Sequence, residues 1–207
     1  MTDTAQEQDL RAMAQSDAGR QGAQKGWRLG WRVVLEYLTA ALAAIVIALV
    51  LRYFVLDMYE VPTGSMEPNI EIGDRVLAEK ISVRFRTIER GDIVFFDDPM
   101  IPGRILVKRV IAVAGQEVSL YNGKVYIDGQ GTFEPYTHGA ETYPLVLAGL
   151  TMGIEYPYVV PDGYIWVLGD NREDSLDSRA FGAIPINAVL ARAVFRVWPI
   201  ERFGYLE

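Results

Sequence analysis

The clearest architectural signal in this chain is the segment Val118-Ser119-Leu120-Tyr121-Asn122-Gly123-Lys124-Val125-Tyr126-Ile127. Runs rich in β-branched and aromatic residues flank Asn122-Gly123, which is typical of paired strands. Asparagine followed by glycine accepts the positive φ angles that a tight hairpin turn requires. The segment therefore predicts a β-hairpin with strands at Glu117–Leu120 and Lys124–Ile127.

Short segments of the same composition recur on both sides of this hairpin and are separated by turn residues. The further predicted strands are Arg75–Ala78, Asp92–Phe96, Ile105–Val113, Tyr164–Leu168 and Ala193–Trp198. Residues 129–163 keep neither a strand period nor a helix period and predict an irregular excursion between core strands. The sequence after residue 56 thus predicts a mainly β domain.

An apolar run precedes this β domain, from Val33 to Leu56, and carries no charge between Tyr37 and Leu51. Its length is close to the roughly 20 residues that a membrane-spanning helix needs. A buried soluble helix is the alternative, but such a helix usually shows a polar stripe, which is missing here. The run therefore predicts one transmembrane helix at 33–56.

Basic residues fix the expected orientation of that helix. Lys25, Arg28 and Arg32 flank its amino-terminal end, whereas Arg52 stands alone at the other end. The positive-inside rule places residues 1–32, which are polar and predicted to be mostly disordered, in the cytoplasm, and residues 57–207 outside. Ala41-Leu42-Ala43 looks like a signal-peptide cleavage site but lies inside the apolar run, so the anchor is expected to stay attached.

Composition excludes several classes of function. A formal net charge of -7 argues against binding to a phosphate backbone, so nucleic acid is not an expected partner. The chain has no cysteine, which excludes a disulfide framework, a thiolate nucleophile and a Cys-ligated zinc site. No cofactor or metal is predicted.

The first candidate catalytic residue lies in Val61-Pro62-Thr63-Gly64-Ser65-Met66-Glu67-Pro68. Two prolines and a glycine fix a loop that presents the hydroxyl of Ser65 just after the membrane segment. An ordinary turn with a solvated serine is the alternative at this point.

The second candidate is Lys108, a lysine inside the otherwise apolar strand 105–113. Alternation places Leu106, Lys108 and Val110 on one face, and Arg109 on the other. If that face points inward, desolvation favours the neutral amine, which can act as a general base. A snorkelling lysine on an edge strand is the alternative, and position alone does not choose between the two.

The third candidate region is a polar segment, Gly169 to Arg179, which follows directly on the predicted strand Tyr164–Leu168 and holds acidic, basic and hydroxyl groups. It lacks the ligand spacing of a calcium-binding EF-hand loop. The single histidine, His138, lies in the irregular excursion and is expected at the surface.

The segments Pro-Thr-Gly-Ser-Met (62–66), Gly-Asp-Ile-Val (91–94) through Val-Lys-Arg-Val (107–110), and Gly-Asp-Asn-Arg (169–172) through Asp-Ser-Arg (177–179) resemble bacterial type I signal peptidases. The resemblance implies a mainly antiparallel β catalytic domain with a small β insertion at about 115–163, preceded by one amino-terminal transmembrane helix. It also implies that Ser65 is the nucleophile and Lys108 the general base.

The same resemblance assigns further residues. Ser175 is expected to hydrogen-bond and orient Lys108, and the Ser65 amide with the Thr63 hydroxyl is expected to form the oxyanion hole. Threonine departs from the serine more usual at position 63, which changes the angle of that contact. The remaining implied positions are Arg109, Asp170, Asp177 and Arg179 as supporting residues, with Asp177 and Arg179 paired, and Val61, Met66, Ile70, Leu106 and Val107 as the substrate pocket.

The implied function is removal of signal peptides from secretory preproteins, in the bacterial inner membrane, with the catalytic domain on the outer side. Trp166, Trp198, Phe203 and Tyr205 either face the lipid bilayer or belong to the core. Two alternatives remain: a specialised Ser-Lys protease that matures one conjugation or pilus substrate, and a non-enzymatic membrane-anchored β adaptor. The adaptor would have no need of both Ser65 and Lys108.

Overall fold

The computed structural model describes residues 31, 33–50, 55–145 and 153–206. The chain divides into two units, one ending at Leu51 and one running from Arg52 onwards. The first unit contains helix α1, Val33–Val50, which is long and apolar enough to cross a membrane. The prediction of disorder for residues 1–32 lies outside the described residues, apart from Trp31.

The second unit consists mainly of two antiparallel sheets, so the predicted mainly antiparallel β fold is confirmed. The first sheet has the strand order β1-β2-β11-β3-β4-β9-β10, with β12 paired to β11, and the second has the order β7-β6-β5-β8. Two short helices, α2 and α3, complete the unit. The bounds are β1 Leu56–Glu60, β2 Arg75–Glu79, α2 Ile81–Phe85, β3 Ile93–Asp97, β4 Ile105–Val113, β5 Glu117–Tyr121, β6 Lys124–Ile127, β7 Gln130–Gly131, β8 Tyr158–Val159, β9 Tyr164–Leu168, α3 Ser178–Phe181, β10 Ile184–Pro185, β11 Val189–Trp198 and β12 Gly204–Tyr205.

The predicted hairpin is present as β5 and β6, with Tyr121 opposite Lys124. Asn122 and Gly123 have φ angles of 47° and 72°, the left-handed values that this turn demands. The hairpin forms the centre of the second sheet. All the described strands of that sheet fall within residues 117–159, inside the segment expected as an insertion.

Four strands of two residues each, β7, β8, β10 and β12, were not predicted, and two longer strands also depart from the sequence prediction. β1 begins at Leu56, which the sequence placed at the end of the membrane helix, because the apolar run continues into a segment that pairs with β2. β11 begins at Val189, four residues before the predicted Ala193. Ala191 and Arg192 give little strand signal, and pairing with β3 rather than local propensity makes them extended.

Three clusters of buried side chains form the core. The first contains Val61, Met66 and Ile70 from the loop after β1, packed on the sheet with Phe95 and Val107. The second joins the sheet to α3 and includes Val94, Val110 and Phe181. The third lies between the two sheets, where Trp166 and Ile111 meet Val118 and Val125. The second sheet is therefore packed onto the first rather than tethered to it.

Trp166 belongs to this core and has no exposed surface, so it cannot face a bilayer. Trp198, Phe203 and Tyr205 are each more than half exposed.

Strand β4 runs between β3 and β9, and both of its faces are covered. Lys108 is therefore buried, as the inward-facing alternative predicts, but Arg109 on the opposite face is buried as well. Lys108 lies opposite Val94 of β3, and its neighbour Arg109 lies opposite Leu168, the last residue of β9. The polar segment that follows β9 consequently starts next to Lys108.

Candidate active site

Ser65 lies in the loop between β1 and β2, which is closed by backbone hydrogen bonds. Val61 N donates to Asp74 O at 2.9 Å and Gly73 N donates to Val61 O at 2.8 Å. Met66, next to Ser65, is fully buried, so the nucleophile candidate is attached to the core. Ser65 itself is 6% exposed, which rules out the solvated-turn alternative.

Ser65 and Lys108 are brought together although 43 positions separate them. Ser65 Oγ and Lys108 Nζ lie 2.5 Å apart and are hydrogen-bonded. Lys108 is 2% exposed, so its amine reaches the hydroxyl rather than solvent. This geometry is what a hydroxyl nucleophile and its general base require.

Burial lowers the pKa of Lys108 from its ordinary value of 10.5 to about 8. Desolvation is the main cause, since it disfavours the charged ammonium; Asp177, Asp170 and Asp98 act in the opposite direction and Arg104 adds to the lowering. A substantial fraction of the amine is therefore neutral at mildly alkaline pH and able to accept a proton.

The buried charges around Ser65 and Lys108, the candidate catalytic dyad, form one-to-one pairs. Arg109 Nε and Nη2 donate to the two oxygens of Asp170 at 2.8 and 2.7 Å. Arg179 Nε and Nη2 donate to the two oxygens of Asp177, both at 2.9 Å, so the expected pair is present. Each of these two guanidinium groups thus has its own carboxylate, and within the described part of the chain no carboxylate pairs with Lys108, which favours its neutral form.

The polar segment after β9 holds the backbone of Ser65. Asn171 N donates to Ser65 O at 3.2 Å, and Asn171 Nδ2 donates to Gly64 O at 3.1 Å. Gly169 N donates to Asp177 Oδ2 at 3.1 Å, which closes the segment on itself. These contacts fix Ser65 relative to the strand that precedes them.

Ser175 lies next to Gly169 and forms no hydrogen bond with Lys108. Its hydroxyl is buried and has no hydrogen-bond partner among the described residues. The hydrogen bond implied by the resemblance is therefore not formed here, because Ser175 Oγ points at Gly169. A Cβ added to Gly169 would lie 2.2 Å from Ser175 Oγ and 2.4 Å from Ser65 O.

Substitution of Gly169 by alanine should impair activity strongly. The added methyl group cannot fit without moving the backbone carbonyl of Ser65, and small displacements of a nucleophile cost about 100-fold in rate. We expect kcat of Gly169→Ala to fall by about that factor in a peptide cleavage assay. Gly204→Ala is the matched control, since nothing lies within 4 Å of its added Cβ. Equal kcat for both variants would contradict the close packing.

A cavity of about 350 Å³ opens beside the loop that carries Ser65. Val61, Leu106 and Val107 line it, together with the exposed Thr63. Tyr59 and Phe95, whose rings stack with centroids 4.1 Å apart, form another part of the wall. The cavity therefore lies between the end of β1 and the start of β4.

Met66 and Ile70 have no exposed surface and pack in the first core cluster, outside the lining of this cavity. Their apolar character anchors the loop. Their assignment as pocket residues stays a prediction.

Several residues around the dyad were not singled out from the sequence. Asn69 Nδ2 donates to Asp170 Oδ2 at 2.9 Å and to Tyr136 O at 2.6 Å, and Arg172 pairs with Glu134. Asn171 and Arg172 lie inside the quoted polar segment, which was the available signal. Asn69, Glu134 and Tyr136 carry no such signal, since long-range contacts alone give them a place here.

His138 is exposed and follows the 3-10 turn Pro135–Thr137, as expected for a surface residue. Within the described ranges, no group of three or more His, Cys, Asp or Glu side chains is placed to hold a metal ion.

Comparison with known proteins gives the class of the chain. A family model described as "Signal peptidase, peptidase S26" matches residues 34–198. A probable signal peptidase I-1 of Synechocystis is 39% identical over 78% of this chain and 81% of its own length. Signal peptidases I of Leptolyngbya laminosa and Bacillus caldolyticus are 36% and 34% identical, each over 78% of this chain and over 78% and 90% of their own lengths.

The chain is thus a hydrolase of the serine endopeptidase class. It belongs to the signal peptidase I family, peptidase S26.

Proposed function

We propose that this chain is a membrane-anchored serine endopeptidase that removes amino-terminal signal peptides from exported preproteins, with Ser65 as nucleophile and Lys108 as general base. The observation that carries the proposal is the buried contact of 2.5 Å between Ser65 Oγ and Lys108 Nζ in a member of this family. Members of the family are named for this substrate class.

Four proton transfers through Lys108, two in acylation and two in deacylation, complete the reaction. The neutral Lys108 amine takes the Ser65 hydroxyl proton as Oγ attacks the scissile carbonyl, and then gives it to the departing amine, leaving an acyl-enzyme. A water molecule next loses a proton to Lys108 and attacks the ester, and the proton returns to Ser65 Oγ as the acid product leaves. One buried base serves both halves of the reaction.

The developing oxyanion requires donors near Ser65. The Ser65 amide is suited to this role because it donates to no other group within the described part of the chain. Thr63 supports the same proposal, since this exposed residue lines the neighbouring cavity and carries a hydroxyl donor. Ser175 is proposed to orient Lys108 during turnover, by turning its unpartnered hydroxyl towards the amine.

The cavity fits a substrate strand with small side chains near the cut. Its walls come from residues 59–63 and 103–107, so an extended peptide between them can hydrogen-bond to backbone on either side. Alternate side chains of such a peptide face the apolar wall formed by Val61, Leu106 and Val107.

The membrane location is also a proposal. Helix α1 supports it by length and composition, and the basic residues before it favour a cytoplasmic amino terminus with residues 57–207 on the periplasmic side. The exposed Trp198, Phe203 and Tyr205 suit contact with the lipid interface.

The pH dependence of cleavage should follow the deprotonation of Lys108. Because only the neutral form accepts the hydroxyl proton, kcat/KM should rise with pH through an apparent pKa of about 8 and level off above it. Initial rates on a peptide substrate between pH 6 and about 10 measure this. A rise in kcat/KM centred near pH 6.5, which is about the ordinary pKa of histidine, would contradict lysine as the base.

The decisive experiment incubates the detergent-solubilised full chain with a panel of unrelated preproteins and identifies each new amino terminus by mass spectrometry. Cleavage of many preproteins after small residues supports the proposed function. Cleavage of a single conjugation or pilus protein would favour the specialised maturation protease, and no cleavage at all would favour the adaptor.

A further inference from the structure

The segment 134–142, which follows β7 of the second sheet, reaches the polar segment next to the dyad. Glu134 Oε1 and Oε2 accept hydrogen bonds from Arg172 Nη2 and Nη1 at 2.8 and 3.0 Å. Thr142 Oγ1 accepts another from Arg172 Nη1. The side chains of Arg172 and Glu134 are 0% and 10% exposed, so this is a buried, bidentate ion pair.

Arg172 links Glu134 to the backbone around Ser65. Arg172 Nε donates to Gly169 O at 3.0 Å, which holds the start of the polar segment. Its chain neighbour Asn171 makes the two hydrogen bonds to Gly64 O and Ser65 O. One peptide bond therefore separates the residue that Glu134 holds from the residue that holds Ser65.

Tyr136 makes a second contact from the same segment. Its hydroxyl donates to Glu134 Oε1 at 2.9 Å, and its ring covers the Arg109 guanidinium at 4.1 Å from the centroid. Its carbonyl accepts the hydrogen bond from Asn69, which lies in the loop of Ser65. The segment thus contacts both loops that meet at the dyad.

A buried ion pair contributes little net stability, because desolvation of both charges offsets their attraction. Its geometric effect is larger, since a bidentate pair fixes the direction of both groups. Glu134 also carries the one carboxylate that Arg172 contacts among the described residues.

We propose that Glu134 is a positioning residue for the peptidase reaction, acting through Arg172 and Asn171 on the backbone of Ser65. This inference rests on the proposed function, because it assigns Glu134 to catalysis by Ser65 and Lys108. It gives the second sheet a role in turnover: its neighbouring segment fixes the loop that fixes the nucleophile.

The test uses the full chain in detergent and a peptide substrate with alanine at the first and third positions before the cut. We expect kcat of Glu134→Gln to fall about tenfold, since a displaced nucleophile loses rate rather than binding. KM should change by less than about twofold, because the cavity is lined by residues of other segments. Glu141→Gln is the matched control: it lies in the same segment, is exposed, and its carboxylate accepts from Tyr143.

Two further variants separate positioning from loss of fold. In the double variant Glu134→Gln/Arg172→Gln, kcat should be no lower than in Arg172→Gln alone, since the proposal assigns the effect of Glu134 on Ser65 to its contact with this guanidinium. Thr142→Val removes the hydroxyl that accepts a hydrogen bond from Arg172, and it should lower kcat about threefold with the melting temperature little changed. If Glu134→Gln does not fold, this variant tests the contacts of Arg172 in its place.

Wild-type kcat in a folded Glu134→Gln, or multiplicative losses in the double variant, would overturn the positioning role while leaving the dyad intact. Cleavage by Ser65→Ala would instead overturn the proposed function on which the inference rests.

Discussion

Ser65→Ala should abolish cleavage, with kcat reduced by about 10⁴-fold or more. Loss of the nucleophile in serine proteases removes nearly all of the rate gained from the catalytic groups, since they act as one unit. The fold should survive, because Met66 next to it holds the loop in the core and the Ser65 carbonyl keeps its contact with Asn171. Product formation from a preprotein, followed by gel and mass spectrometry, measures the loss.

Ser119→Ala is the matched control for this change. It makes the same substitution in β5 of the second sheet and should cleave at the wild-type rate. His138→Asn tests the rival histidine mechanism, because asparagine tolerates the positive φ of 52° at this position. Lost turnover in a folded His138→Asn, or retained turnover in Ser65→Ala, would refute the assignment of the nucleophile and its base.

Lys108→Met should be inactive and at the same time more stable than the wild type. Methionine fills much of the space of the lysine side chain but cannot accept a proton, so kcat should fall by about 10⁴-fold. Burial lowers the pKa of Lys108 from 10.5 to about 8, so the folded protein binds this proton more weakly than the unfolded chain does. The corresponding penalty to folding at pH 7 is on the order of 3 kcal/mol, and the methionine variant lacks it.

The pH dependence of stability provides the second readout. The unfolded chain binds more protons than the folded one between about pH 8 and 10.5, so the free energy of unfolding of the wild type should rise across this window. The rise should be missing in Lys108→Met, as urea unfolding at several pH values would measure. Lys124→Met, an exposed strand lysine in β6, should keep both activity and the wild-type pH dependence. A methionine variant less stable than the wild type at pH 7 would contradict the cost of burying Lys108.

Much of the fold was predictable where local chemistry and tertiary structure agree. Asn122-Gly123 specifies its turn through backbone conformation alone, and β4 is apolar over nearly all its length because both faces are covered. β1 was not predictable, since Leu56 looks like the end of the apolar run, two of the next four residues are acidic, and the segment becomes a strand only by pairing with β2. The second sheet was predicted only as a hairpin, because β7 and β8 are two residues each and owe their conformation to their neighbours.

The candidate site was likewise predictable in some parts and not in others. Ser65, Lys108 and the polar segment after β9 stand out because prolines, a lone lysine in a strand and clustered charges are unusual in sequence. Met66 and Ile70 lie in the core rather than in the cavity wall, which sequence could not decide because apolar side chains look alike whether they line a cavity or fill the core. The link from Glu134 to Arg172 spans 38 positions and has no local trace.

The choice of Ser65 and Lys108 as candidate nucleophile and base came from residue types, their order and the family resemblance, and the apolar helix from hydrophobicity, because backbone preference, hydrophobicity and acid-base chemistry are local properties. The distance between Ser65 and Lys108, the burial that lowers the lysine pKa, and the pairing of Arg109 with Asp170 and of Arg179 with Asp177 come from the packed sheets. Desolvation and hydrogen-bond geometry depend on which distant residues meet, and that is fixed only when the chain folds.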